Sequence, residues 1–339
     1  MWLIIRTLFI GVCGAFLAHL VGLPSAWLVG ALISVVVVAI SGIKVAMPKS
    51  TSSMVSLFLG ISVALNIEAD LIDQLIYWGQ SAVLMCGMMA ALLAVTYRYY
   101  ARLPGWKMNE ALFCAVPGNL AIMLAMAQDT NANVRRIALT HSVRLLFLVF
   151  LVPLFLPLAE REVTLSGFYI EHPEQMIATV FLAVILGWIL GKVRVPAAML
   201  VGGIAATLIL KLSFGWHWKF PEMMLLTLLV FLGCAIGSRF DGLVLREVIP
   251  ELKAAMGGLI ITLIISGSFA AILHYWNDIP WTQAMLAYAP GGMEVMVAIA
   301  MNQEVDALFV ATHQMFRMLT MSMVIPVLMY WLDKKRTLT

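Results

Sequence analysis

Charge is what this sequence has least of. Only 12% of its 339 residues are Asp, Glu, Lys or Arg, 63% are hydrophobic, and the mean hydropathy is +0.98. A soluble domain has about 25% charged and roughly 45–50% apolar residues. A globule of this length could not cover such an apolar surplus, because its surface needs polar groups. An ordinary soluble enzyme is therefore excluded. The net charge of +3 is small and points to no direct nucleic-acid partner. Cysteine is scarce too. Cys13, Cys86, Cys114 and Cys234 each stand alone in an apolar run, which reads as packing rather than a disulfide framework or a zinc site. There is no H-E-x-x-H, no clustered ligand set for copper, iron or zinc, and no G-x-x-x-x-G-K-[ST]. The expectation is a chain with no metal, no cofactor and no enzymatic activity of its own.

What the sequence does have is long charge-poor runs. Twelve can be read off, at 2–21, 24–42, 54–67, 75–97, 110–127, 134–158, 175–193, 195–212, 222–238, 252–275, 281–301 and 305–332. Most are long enough to cross a bilayer as a helix. The first stands where a signal peptide would. It lacks a small-x-small cleavage site and a similar segment recurs at 175–193, so it reads as a retained helix. The class is all-α polytopic membrane protein, because a bilayer core offers no water and each segment must satisfy its own backbone.

The runs repeat. "LPSAWLVGA" at 23–31 matches "VPAAMLVGG" at 195–203, an offset of 172. "FLGISVALN" at 58–66 matches "FLGCAIGSR" at 231–239, and "AVPGNLAIMLAMAQD" at 115–129 matches "YAPGGMEVMVAIAMN" at 288–302, both at 173. "IALTHSVRLLFLVFLVP" at 137–153 matches "VATHQMFRMLTMSMVIP" at 310–326, again at 173. Leu/Val runs align easily, but matched Pro-Gly, Arg and Pro positions do not arise that way. The expected organisation is two repeats, 1–160 and 175–332, as many transporter folds have.

Lys and Arg near helix ends favour the cytoplasm. If all twelve segments cross with the N-terminus inside, twelve basic residues fall inside and seven outside, leaving aside Arg144 and Arg317 within segments. If the two Pro-Gly segments, 110–127 and 281–301, instead enter and leave on one side, the count becomes sixteen inside and three outside: Arg161, Lys211 and Lys219. Each half then makes five crossings, an odd number, so the halves are inverted. The alternative of broken, fully spanning Pro-Gly segments stays open at this stage.

Three sets of residues stand out as a candidate site. Pro117-Gly118-Asn119 and Pro290-Gly291-Gly292 would each interrupt a helix and free backbone groups, which membranes tolerate only against protein or a water-filled cavity. Arg144 and Arg317 sit about ten residues into their segments, where a central arginine costs roughly 2.5–3.5 kcal/mol and needs a partner. Asp129, Glu294 and Asp306 are the candidate carboxylates. Glu294 follows Gly291 by three residues, where the first half has Ala121, so burial there would favour a proton- or cation-binding carboxylate. His141 aligns with Gln314 and Thr140 with His313, which breaks the symmetry a paired histidine relay would need.

At these pieces the chain resembles the AbrB family of bacterial inner-membrane proteins, which carry a duplicated module. The resemblance rests on "LPSAWLVGA", "VPGNLAIMLAMAQDTNANVRRIALTHSVRLL", "APGGMEVMVAIA" and "LFVATHQMFRML", and covers essentially the whole chain. Asn119 departs from it, where the family usually has a second glycine. The resemblance implies a multi-pass protein of the bacterial cell inner membrane. It also brings two labels, regulation of gene expression and ammonia monooxygenase. The chain suits the second poorly, lacking a metal cluster, and lacks the soluble domain of the small DNA-binding transition regulators that share the name. The expected function is a transporter-like secondary permease with a midplane site, the alternative being indirect regulation of gene expression. The expected partners are the lipid bilayer, an unknown small solute or ion, and a further copy of the chain in a homo-oligomer. A topology reporter inserted at Gly167 should signal from outside the cytoplasm; a cytoplasmic signal would rule out the five-crossing arrangement.

Overall fold

The protein, described from a computed structural model, is defined over residues 1–67, 71–116, 120–128, 130–156, 172–193, 195–242 and 245–336. Regular structure among these residues is helical: α1 Trp2–Leu20, α2 Ala26–Ile40, α3 Ser50–Leu65, α4 Leu71–Ala101, α5 Met108–Ala115, α6 Leu120–Gln128, α7 Val134–Leu154, α8 Pro173–Lys192, α9 Ala198–Phe214, α10 Glu222–Gly237, α11 Leu245–Asn277, α12 Trp281–Tyr288, α13 Met293–Asn302 and α14 Ala307–Arg336, with a 3-10 turn Ser238–Phe240 after α10. Seven of these, α1, α4, α7, α8, α10, α11 and α14, are long and apolar enough to cross a membrane. The apolar runs mark these helices to within a few residues, apart from α4 and α11. Those two run to 31 and 33 residues, beyond the runs at 75–97 and 252–275. Polarity marks where a segment leaves an apolar medium, whereas a helix ends only where its backbone hydrogen bonds stop.

Small residues decide which faces are buried. In α1 the buried positions are Thr7, Gly11, Ala15 and Ala18; in α8 they are Thr179, Ala183 and Gly187. A spacing of three or four puts each set on one face, against α2 and α9 respectively. The large side chains, among them Trp2, Phe9, Phe16, Phe181 and Trp188, point outward and exposed. A helix apolar all round yet little buried suits a lipid surface rather than water.

Backbones approach closely at several glycines, Gly60 and Gly233 among them. A Cβ on Gly233 of α10 would lie 2.6 Å from the Leu28 carbonyl oxygen of α2, and one on Gly60 of α3 would collide with the Leu200 carbonyl of α9. Gly60 and Gly233 are 173 apart, and Leu28 and Leu200 are 172 apart. Without a hydrophobic drive between helices, such contacts supply the packing energy. The wider packing follows the same exchange: α3 on α9 and α10 on α2; α4 on α14 and α11 on α7. Helices α1–α3 and α8–α10 thus form one group, and α4–α7 with α11–α14 another.

Hydrogen bonds tie the connections together at each end. At one end Val45 N–H donates to Asp241 Oδ1 at 2.9 Å, and Arg136 joins Glu110 at 2.8 Å and Glu251 at 2.9 Å. At the other, Lys211 Nζ donates to the Leu65 and Ile67 carbonyls at 3.0 and 2.7 Å, and Asn277 Nδ2 to Gln80 Oε1 at 3.0 Å. The start of α5 lies beside the loop that follows α6. Lys107 Nζ donates to the Asn131 carbonyl at 2.7 Å, and Asn133 N–H to Glu110 Oε1 at 3.0 Å.

Gly60→Ala and Gly233→Ala should each destabilise the purified protein by about 1–3 kcal/mol through overpacking. Gly267→Ala, where an added Cβ meets nothing within 4 Å, should be neutral or stabilising by up to roughly 1 kcal/mol. Thermal unfolding in detergent reads the difference, and equal effects at the three sites would contradict the close-approach account.

Candidate functional site

The second interrupted helix is fully described. Helix α12 ends at Ala289, whose φ and ψ are −62° and 127°, and the chain stays extended to Gly292, at −69° and 134°, before α13 begins. Pro290 lacks an N–H and fixes its own φ, so the turn-to-turn ladder fails here and the carbonyls of 286–291 lose their usual donors. Two side chains of α14 take four of them. Gln314 Nε2 donates to Leu286 O at 2.7 Å, Ala287 O at 3.3 Å and Ala289 O at 2.9 Å. Arg317 Nη1 donates to Ala289 O at 2.8 Å, and its Nη2 to Gly291 O at 3.0 Å.

The first interrupted helix is held the same way. Pro117, Gly118 and Asn119, together with Asp129, lie outside the described residues. The carbonyls just before them are described. His141 Nε2 donates to Phe113 O at 2.9 Å; Arg144 Nη1 donates to Cys114 O at 3.2 Å and Nη2 to Val116 O at 3.1 Å. Arg144 Nη2 also donates to His141 Nδ1 at 2.8 Å. A carbonyl can only accept and a guanidinium can only donate, so the partners assign His141 as the neutral ring with its proton on Nε2. Phe113 and Leu286, Val116 and Ala289, His141 and Gln314, Arg144 and Arg317 are each 173 apart. The mismatch of His141 with Gln314 therefore hides an equivalence: each places an N–H donor on the same carbonyl.

Among the described residues, Glu294 and Asp306 do not pair with these arginines as the sequence suggested. Glu294, in the first turn of α13, accepts from Ser56 Oγ of α3 at 3.2 Å. Asp306 caps α14, its Oδ1 accepting from Leu308 N–H and Phe309 N–H at 3.0 Å each. The two arginines, 5% and 2% exposed, meet carbonyl dipoles instead, which lower the energy of a buried cation without cancelling its charge.

Both arginines line one cavity of about 440 Å³, together with His141, Arg239, Glu294 and the Pro290–Gly292 break, over an apolar wall of Leu124, Leu145, Met293 and Met318. A second cavity of about 460 Å³ is lined by Ser52, Ser53, Ser56, Trp188, Lys192 and Glu294. Glu294 and Ala197 border both. Ala197 stands at φ 50°, and Ser25, 172 residues earlier, at φ 52°. Each is a left-handed residue leading into α9 or α2, a conformation that costs a residue with a Cβ about 1–2 kcal/mol. Sequence reading singled out neither Ala197, Ser56 nor Arg239. Arg239 follows α10 and counts toward topology like any connection arginine; no signal in the sequence directs it to a cavity. Among the described residues no group of three or more His, Cys, Asp or Glu could hold a metal ion.

With this geometry in view, the comparisons with known proteins are consistent. A family described as "Transition state regulatory protein AbrB" matches residues 27–333. The chain belongs to the AbrB family. Two curated relatives match it over most of their length and its own. "Putative regulator AbrB" of Escherichia coli (strain K12) is 25% identical, over 88% of this chain and 87% of its own. "Uncharacterized protein YhjN" of Bacillus subtilis (strain 168) is also 25% identical, over 94% and 90%. This AbrB-family chain is a membrane protein by its apolar helices, and its buried arginines close the two helix breaks.

Because His141 and Gln314 do the same work, His141→Gln should leave the unfolding temperature in detergent nearly unchanged. His141→Leu leaves the Phe113 carbonyl unpaired and should cost about 1–3 kcal/mol. Equal losses in the two variants would show that the ring itself, and not its N–H donor, is what matters.

Proposed function

We propose that this AbrB-family protein is a secondary permease of the bacterial inner membrane, working by alternating access at the arginine-lined cavity. The observation that carries the reading is the convergence of Arg144 and Arg317, from opposite halves of the chain, on one cavity beside an interrupted helix. Interrupted helices near the midplane, related by a repeat, are how many transporters build a solute site.

The proposed topology has ten crossings, with α5–α6 and α12–α13 as re-entrant hairpins. Helices α2, α3 and α9, of 15–17 residues, extend about 22–26 Å at 1.5 Å per residue and complete the set of ten. The bonds from Lys107 to Asn131 and from Asn133 to Glu110 support the first hairpin, because a segment that crossed would part those residues by about the 30 Å of the hydrocarbon core. The exchange of packing partners between the halves supports an internal repeat. On this topology Ser52, Lys192, Ala197 and Arg239 stand toward the cytoplasm, so both cavities open inward.

Glu294 is the coupling residue of the proposal. It borders both cavities and bonds Ser56 across the two helix groups. Protonation would remove its charge from a site otherwise lined by arginine. In proteoliposomes with a trapped pH indicator, solute-driven proton movement should fall at least about tenfold in Glu294→Gln, a change of roughly 1.4 kcal/mol, with the unfolding temperature retained. Unaltered coupling would remove this role.

The name of the Escherichia coli relative, a regulator, favours a second reading, a membrane sensor that alters gene expression indirectly. That reading expects an expression change on deletion that survives substitution of Glu294 and Arg239.

A further inference from the structure

We infer that the arginine-lined cavity takes a small organic carboxylate. The inference rests on the permease reading for how the anion would move, and on the cavity itself for how it would be held.

Among the described residues, the charged groups lining the cavity are Arg144, Arg239 and Arg317 against Glu294. Arginine does not give up its proton in proteins, so the site carries an excess of positive charge whether or not Glu294 is ionised. A cation would meet that excess as a like charge; an anion would relieve it. The donors are also incompletely used. A guanidinium has five N–H groups, and the bonds of Arg317 to Ala289 and Gly291 engage its Nη atoms. Its Nε is buried and has no hydrogen-bond partner among the described residues. A buried donor of this kind calls for an acceptor, and a carboxylate matches a guanidinium fork in plane and in charge.

The rest of the wall selects an organic anion over a hydrated inorganic one. Leu124, Leu145, Met293 and Met318 offer hydrocarbon and thioether, with few further donors. Gly291 and Gly292 bring backbone to the cavity without side chains in the way. The volume of about 440 Å³ falls in the range of small-molecule sites. Arg239 is exposed and stands where the field can draw an anion in from solvent. The occupant that fits all of this is one carboxylate head on the arginines and a short apolar body against the leucine and methionine side chains.

The test uses the purified full-length protein in detergent and reads its unfolding temperature. The probes are hexanoate, benzoate and succinate, each beside its neutral amide, with hexylammonium, chloride and phosphate at matched ionic strength. At least one carboxylate should raise the unfolding temperature by about 2–4 °C at saturating concentration while its amide does not. Arg239→Gln should weaken that carboxylate about tenfold, and Arg239→Lys should recover part of the loss. No carboxylate effect, an equal effect of amide or ammonium, or stabilisation by chloride or phosphate alone would each overturn the inference. Flux separates this from the permease reading. A carboxylate that binds but does not cross proteoliposomes would overturn the permease and keep the binding site. Movement of a cation without carboxylate binding would do the reverse.

Discussion

A backbone carbonyl without a donor, in a medium that has no water to offer, is the constraint on which this structure turns. Interrupting a helix creates several such groups at once, and each costs several kcal/mol in hydrocarbon if left alone. The protein meets the cost with side chains from α7 and α14: His141 and Arg144 for the first, Gln314 and Arg317 for the second. An arginine in a membrane interior is itself expensive. The two costs offset each other, because the guanidinium gains acceptors and the carbonyls gain donors. Neither the break nor the arginine is stable alone, which explains why they occur as a unit in both halves.

The arrangement leaves a residue of charge. Carbonyls satisfy hydrogen bonds but bring no negative charge, so both arginines remain net cations beside one cavity. At Arg136, by contrast, carboxylates balance the charge. Arg136 is paired with Glu110 and Glu251 and lies over the Trp106 ring, closing the end of the bundle where α5, α7 and α11 meet. The contrast separates a group that only holds structure from groups that hold structure and still present charge.

Much of the fold was legible in the sequence, because apolar length and the positions of Pro and Gly are properties of residue type. The runs at 2–21, 24–42 and 222–238 correspond to α1, α2 and α10, and the gap between α12 and α13 lies at Pro290–Gly292. The site was legible only in part. Arg144, Arg317 and Glu294 stood out as charges in apolar runs, and the structure lines one cavity with all three. Their partners did not stand out. Every residue carries a carbonyl, so nothing in residue type says which carbonyl an arginine will find; carboxylates looked like the natural candidates for that reason alone. Asp306 instead caps α14. Glu294 lies against Ser56, 238 residues away, a contact that only the packing of α13 on α3 creates.

That contact also bears on how the two helix groups could move. Within the group of α1–α3 and α8–α10, glycines bring α3 to α9 and α10 to α2 at backbone distance, and close-packed interfaces of this kind shift between discrete arrangements rather than deform. Between the groups, the Ser56–Glu294 bond is 3.2 Å long and joins a hydroxyl to a carboxylate that also borders both cavities. Its strength depends on the charge of Glu294, since hydrogen bonds to an ionised acceptor are roughly twice as strong as neutral ones. An anion on the arginines and a proton on Glu294 act on the same local charge, one by adding negative charge and the other by removing it. On the permease reading, occupancy of the cavity and protonation of Glu294 are therefore coupled through electrostatics alone, and the bond between the groups weakens when the proton arrives. The Pro290–Gly292 break lines the cavity, Arg144 and Arg317 give it charge, and Glu294 joins that charge to the packing of α13 on α3.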